Sequence, residues 1–143
     1  MTTDDRIAFR QQLILHEGWR LKPYVDTVGK ITIGVGRNLT DRGISASECD
    51  LLLAHDMDAV LRELPARCPW FDNLDGIRQR GVADLCFNVG LPKFLLFHDT
   101  IHAIQRDDFT GAARQMLASK WAEQVGARAQ RLAQMMASGE DYT

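Results

Sequence analysis

The chain has 143 residues, 45% hydrophobic and 25% charged, the composition of an ordinary globular protein, and a chain of this size buries roughly 68–70% of its unfolded surface. A net charge of −2, with pI near 6.0 and the two signs interspersed, excludes the basic footprint that nucleic acid or an anionic surface would demand. Cys49, Cys68 and Cys86 are odd in number, widely spaced and without a C-x-x-C pair, so three reduced thiols are expected rather than a disulfide framework or a zinc site, and no metal or cofactor is implied.

Residues 1–6 are polar and acidic with no apolar core region behind them, and no apolar run reaches the about 18 residues of a membrane span. No export signal and no stable membrane insertion are therefore expected. Thr3, Asp4 and Asp5 offer N-caps, and Ile7, Phe9, Leu13 and Ile14 give a helical stripe, which predicts a first helix over about 4–16 that ends at Glu17-Gly18. A glycine at that end turns the chain and fixes where Glu17 points. Short β-type segments follow at 21–24, 30–34 and 37–39, broken by Pro23, Gly29, Gly34, Gly36 and Asn38, and they predict a small antiparallel sheet.

Ser45-Ala46-Ser47-Glu48 has the form of a capping box, and Leu53, Met57, Val60, Leu61 and Leu64 continue a helical stripe. One long helix over about 45–64, stopped by Pro65, is expected. Residues 66–73 read as a connector. A helix over about 74–89 is carried by Ile77, Val82, Leu85, Cys86 and Val89 and closed by Gly90. Phe94 to Phe97 reads as an apolar loop or turn, 100–104 as a short helix, and Phe109, Ala112, Ala113, Met116 and Leu117 as another. A last helix from Gly126 carries Leu132, Met135 and Met136, and 139–143 should fray.

Two carboxylates and a hydroxyl lie close together near the start of the chain: Glu17, Asp26 and Thr32. Glycoside hydrolysis needs such a pair, one carboxyl protonated to donate to the leaving oxygen and the other ionised to activate water or attack. Glu17, at the end of an apolar helix, is placed where partial burial and the negative helix terminus favour a protonated carboxyl. Asp26, in an exposed turn between strands, stays ionised. Taken alone, the pair reads more readily as a helix-end Glu and a turn Asp with no joint task, and Thr32 as an ordinary strand residue.

The run E-G-x-R-L-x-x-Y-x-D-x-x-G-x-x-T-I-G-x-G, from Glu17 to Gly36, resembles the catalytic signature of the phage-type, T4-like lysozymes, and weaker similarity in register extends through 45–64, 82–90 and 119–131. The resemblance implies an α+β, mostly α fold, with a small antiparallel β-sheet lobe joined by a long helix to a helical lobe. Residues 1–143 would then form one lysozyme-like domain: a β-containing catalytic lobe at about 13–50, a connecting helix at about 45–64, and a helical lobe of about 65–143 plus the N-terminal helix at 4–16. It also implies a muramidase that hydrolyses the β-1,4 bond between N-acetylmuramic acid and N-acetylglucosamine, with inversion as the precedent. Glu17 would be the acid, and Asp26 with Thr32 would position and activate the water.

By the same resemblance Gly36, Phe87, Thr100 and Gln115 are substrate-binding candidates, although plain core packing is an equal reading for Phe87. Arg128 would reach back to support Glu17, Arg37 would pair with Asp56, and Trp121 is core rather than ligand contact. Asn38, Thr100 and Gln115 depart from the usual residues at their positions, and the link around Arg42-Gly43 is short. The implied partner is the glycan strand of peptidoglycan, with no nucleic acid, acted on by a monomer. Without an export signal, the protein would stay in the host cytoplasm until released to the periplasm or wall. A lytic transglycosylase would use Glu17 alone, and a non-catalytic glycan-binding module would have lost one of the three residues.

Overall fold

The computed structural model describes residues 1–142; of the terminal stretch expected to fray, Thr143 lies outside them. The fold is α+β and mostly α, with eight α-helices and a three-stranded antiparallel sheet among the described residues. The chain divides into two compact units, Met1–Leu51 and Leu52–Thr143.

The first unit opens with α1 (Thr3–Glu17), one residue longer at each end than its periodicity predicts. Thr2 is its N-cap, in a capping box with Asp5: the Asp5 amide donates to Thr2 Oγ1 at 3.2 Å and the Thr2 amide to Asp5 Oδ2 at 3.0 Å. Gly18 ends the helix at φ 82°, its amide donating to the Ile14 carbonyl. From there the chain enters β1 (Arg20–Val25), β2 (Ile31–Gly34) and β3 (Arg37–Asn38), in that order across the sheet. Tyr24 pairs with Thr32, and Ile33 with Arg37. Thr32 is the one buried residue of this unit. Helix α1 shares this unit with the sheet. The reason is local: α1 is only two residues from β1, and its last side chain lies against the β2–β3 turn.

Helix α2 (Ala46–Arg67) starts on the predicted capping box, with the Ser45 amide donating to Glu48 Oε2 at 2.7 Å and the Glu48 amide to Ser45 Oγ at 3.2 Å. It does not stop at Pro65. A proline this near the helix end removes one hydrogen bond from the last turn, and the helix carries on to Arg67.

In the second unit a short 3₁₀ turn, Pro69–Asn73, occupies the expected connector and leads into α3 (Gly76–Val89), capped by Asp75 through the Ile77 and Arg78 amides. The expected apolar loop begins inside a helical turn, α4 (Leu91–Phe94), followed by α5 (His98–Gln105), α6 (Phe109–Leu117), α7 (Lys120–Val125) and α8 (Ala127–Ser138). Helix α8 packs on α3 and α6. Phe94 is fully buried, and Leu64, Val82, Leu85, Cys86, Met116 and Met136 close around the same core. Trp70, Phe94, Phe97 and Trp121 form an aromatic row through it, with successive ring centroids 6.3–6.5 Å apart. Arg78 holds the end of α8, donating to the Met136 and Ala137 carbonyls at 2.8 and 3.2 Å while paired with Asp75. Among the described residues no helix is long and apolar enough to cross a membrane.

Candidate active site

Glu17 is the last residue of α1, and the positive φ of Gly18 directs the chain away immediately after it. Its side chain is exposed, not partly buried as the apolar helix led us to expect, because α1 buries none of its residues. The carboxylate lies against the Cα of Gly36 in the β2–β3 turn. A methyl group built there would stand 2.7 Å from Glu17 Oε2.

Asp26 follows β1 directly. Its Oδ1 accepts from the Lys30 amide at 2.8 Å and the Val28 amide at 3.0 Å, so the turn 26–30 closes around the carboxylate. The Lys30 amide bond is the main force that holds the Asp26 carboxyl below its ordinary pKa, with lesser help from Val28, Thr32 and the Lys30 charge, against some desolvation. The Lys30 ammonium itself is turned to Asp41 at 3.0 Å. Thr32, buried in β2, brings Oγ1 to 3.4 Å from Asp26 Oδ2 and 3.2 Å from the Lys30 carbonyl, two acceptors for one proton. A carboxylate fixed in the ionised form beside a hydroxyl can orient and deprotonate a water molecule. Four of the sequence candidates, Glu17, Asp26, Thr32 and Gly36, thus belong to one unit.

Arg37 is not left to Asp56. Its guanidinium grips Glu48 with two bonds, 2.7 Å to Oε1 and 2.9 Å to Oε2, and donates to the Gly43 carbonyl at 3.3 Å. Glu48 lies within a short loop of β3, whereas Asp56 lies two helical turns further along α2. This grip, with the Ser45 amide assisting, lowers the Glu48 carboxyl to about 2.

The remaining candidates lie in the second unit. Thr100, buried in α5, and Gln115, exposed on α6, line a recess of about 1030 Å³ together with Lys93, His98, Lys120 and Trp121. Trp121 is core, as expected: it is 5% exposed, and its indole donates to Asn88 Oδ1 at 2.7 Å. Phe87 is half exposed and lines a separate apolar recess of about 440 Å³, beside Leu53, Met57, Leu61 and Arg128. Core packing therefore does not account for it. Arg128, expected to support Glu17, carries an ion pair with Asp84 at 2.6 Å, and its Nε also donates to that carboxylate at 2.8 Å. Packing of α8 on α3 brings these two side chains together. Asp84 and Asn88 had no forecast role, and Glu48 was forecast as a cap but not as the partner of Arg37. Only Glu48 had a signal for its pairing, since a capping-box Glu faces back toward the chain entering its helix. Among the described residues no three His, Cys, Asp or Glu side chains converge as a metal cage.

A family model described as phage lysozyme matches residues 15–136. Two proteins of Dictyostelium discoideum are similar along nearly their whole length. "Probable T4-type lysozyme 1" is 24% identical over 92% of this chain and 95% of its own. "Probable T4-type lysozyme 2" is 22% identical over the same shares.

Proposed function

The chain belongs to the phage lysozyme family, and we propose that it is a peptidoglycan muramidase that hydrolyses the β-1,4 bond between N-acetylmuramic acid and N-acetylglucosamine. Glu17 donates a proton to the glycosidic oxygen, which leaves with the bond's electrons. Asp26, with Thr32, takes a proton from the water that attacks the opposite face of the sugar, and inversion follows from attack on that face. Gly36, Phe87, Thr100 and Gln115 are assigned to the glycan and its surroundings. Arg128 is assigned to support of the acid Glu17. The enzyme works as a monomer.

The observation that carries this reading is the Asp26 carboxylate. It is kept ionised by two backbone amides, has the Thr32 hydroxyl beside it, and belongs to the same compact unit as the helix-end carboxyl of Glu17.

The test is mass spectrometry of purified peptidoglycan digested with the wild type and with Glu17→Gln. Reducing muropeptides from the wild type alone are expected, and ¹H NMR of an early digest that shows the α-anomer would establish inversion. Anhydro-muropeptides would make the protein a lytic transglycosylase, and no product at all would leave a glycan-binding module. Full activity in Glu17→Gln would remove Glu17 from the chemistry.

A further inference from the structure

Gly34 and Gly36 flank Val35 in the tight turn from β2 to β3, and their φ angles are nearly the same, 67° at Gly34 and 66° at Gly36. Both angles lie in the left-handed region, where an L side chain is strained, so both positions favour glycine for the same local reason. What surrounds them differs. A methyl group on Gly34 would meet nothing within 4 Å. One on Gly36 would stand 2.7 Å from Oε2 of Glu17, 3.0 Å from Cδ and 3.2 Å from Cγ. The volume that a side chain at 36 would fill is the volume the Glu17 carboxyl occupies.

We propose that Gly36 is a positioning residue for Glu17, its missing side chain forming the seat that fixes where the acid's carboxyl lies. The inference rests on the proposed role of Glu17 and moves Gly36 from glycan contact to alignment of the proton donor. The backbone at 36 is braced on both sides. Arg37, next in the chain, is tied to Glu48 and Gly43, and β2 pairs with β3 through Ile33 and Arg37. An added methyl group therefore displaces the flexible glutamate in preference to the turn. A proton donor shifted by about 1 Å loses on the order of 10²-fold in rate.

The experiment compares Gly36→Ala with Gly34→Ala, which places a side chain at the same left-handed φ without the contact. Both variants are expected to lose thermal stability by similar amounts. Gly36→Ala should lose about 10²-fold in kcat with KM changed less than about threefold, while Gly34→Ala keeps kcat within about threefold. A second arm needs no turnover: the Glu17 side-chain carboxyl ¹³C resonance should move in Gly36→Ala and stay in place in Gly34→Ala.

Equal kcat losses in the two alanine variants or an unmoved resonance would each overturn the proposal. If the wild type forms no reducing product, the muramidase reading fails and the proposal falls with it. If the wild type cleaves and the two variants behave alike, the proposal alone fails.

Discussion

At Asp26 the negative charge is secured by backbone geometry before any cation. The Lys30 and Val28 amides converge on Oδ1, and the Lys30 side chain that could have neutralised the carboxylate is engaged by Asp41. Oδ2 faces the Thr32 hydroxyl, a lesser contributor to the lowered pKa. A base must be deprotonated to work, so the acid limb of the kcat/KM profile should lie below the ordinary carboxylate range. Thr32→Val removes one lowering contact and leaves the dominant Lys30 amide. Its acid limb should move to higher pH without leaving the depressed range, and kcat/KM should fall by about 10²-fold with the loss of a positioned group. Thr32→Ser should keep both the limb and most of the rate. Parallel pH profiles of the three proteins check this, and a limb that stays in place in Thr32→Val would separate Thr32 from the base.

At the scale of elements, the join between β3 and α2 is made by charge. Glu48 serves two partners at once, the Ser45 amide as part of a capping box and the Arg37 guanidinium through two bonds. Its carboxyl falls from the ordinary 4.5 to about 2, chiefly through the Arg37 bond. A depressed folded-state pKa adds stability that is fully present above the unfolded value and is lost as pH falls through the folded one. This contribution should therefore decline between about pH 4.5 and pH 2. Glu48→Gln should be less stable than the wild type at pH 7, and the two melting temperatures should converge as pH approaches 2. A constant gap across that window would show that the carboxylate is not what ties β3 to the helix.

Much of this scale was legible in the sequence, because helix ends and β-turns are written in neighbouring residues. Glu17-Gly18 marked the end of α1, Ser45 to Glu48 the start of α2, and Gly90 the end of α3. What the sequence hid depends on depth or on distant partners. Pro65 looks like a stop unless one knows that only a last turn follows it. Phe94 looks like a loop residue until the core closes around it. Arg128 and Asp84 are 44 positions apart, on helices that meet only through packing, and no periodicity links them. At the site, the turn that closes on Asp26 follows from local sequence, whereas the seat of Glu17 on Gly36 needs the sheet to be built first.

Over the whole molecule, burial and chemistry are divided unevenly. Every buried hydrophobic side chain, from Leu64 to Met136, belongs to the second unit, while Glu17, Asp26 and Thr32 all belong to the first, where Thr32 alone is buried. Burial of apolar surface dominates folding free energy, so openings that expose the sheet should require less free energy than those that expose α3 and α8. Native-state hydrogen exchange should therefore find the slowest amides in α3 and α8, with the β1–β3 amides exchanging through smaller openings. Phe94→Ala removes the ring at the centre of the aromatic row and should lower the opening free energy of the α3 and α8 amides by about 3–5 kcal/mol. Amides of β1 to β3 that open locally do not pass through disruption of that core, and their exchange should stay near the wild-type rate. If the sheet amides lose the same free energy as the helices, the two units unfold as one. The site-bearing sheet would then owe its order to the helical core, and the short-range contacts around Asp26 and Gly36 would be insufficient to hold it.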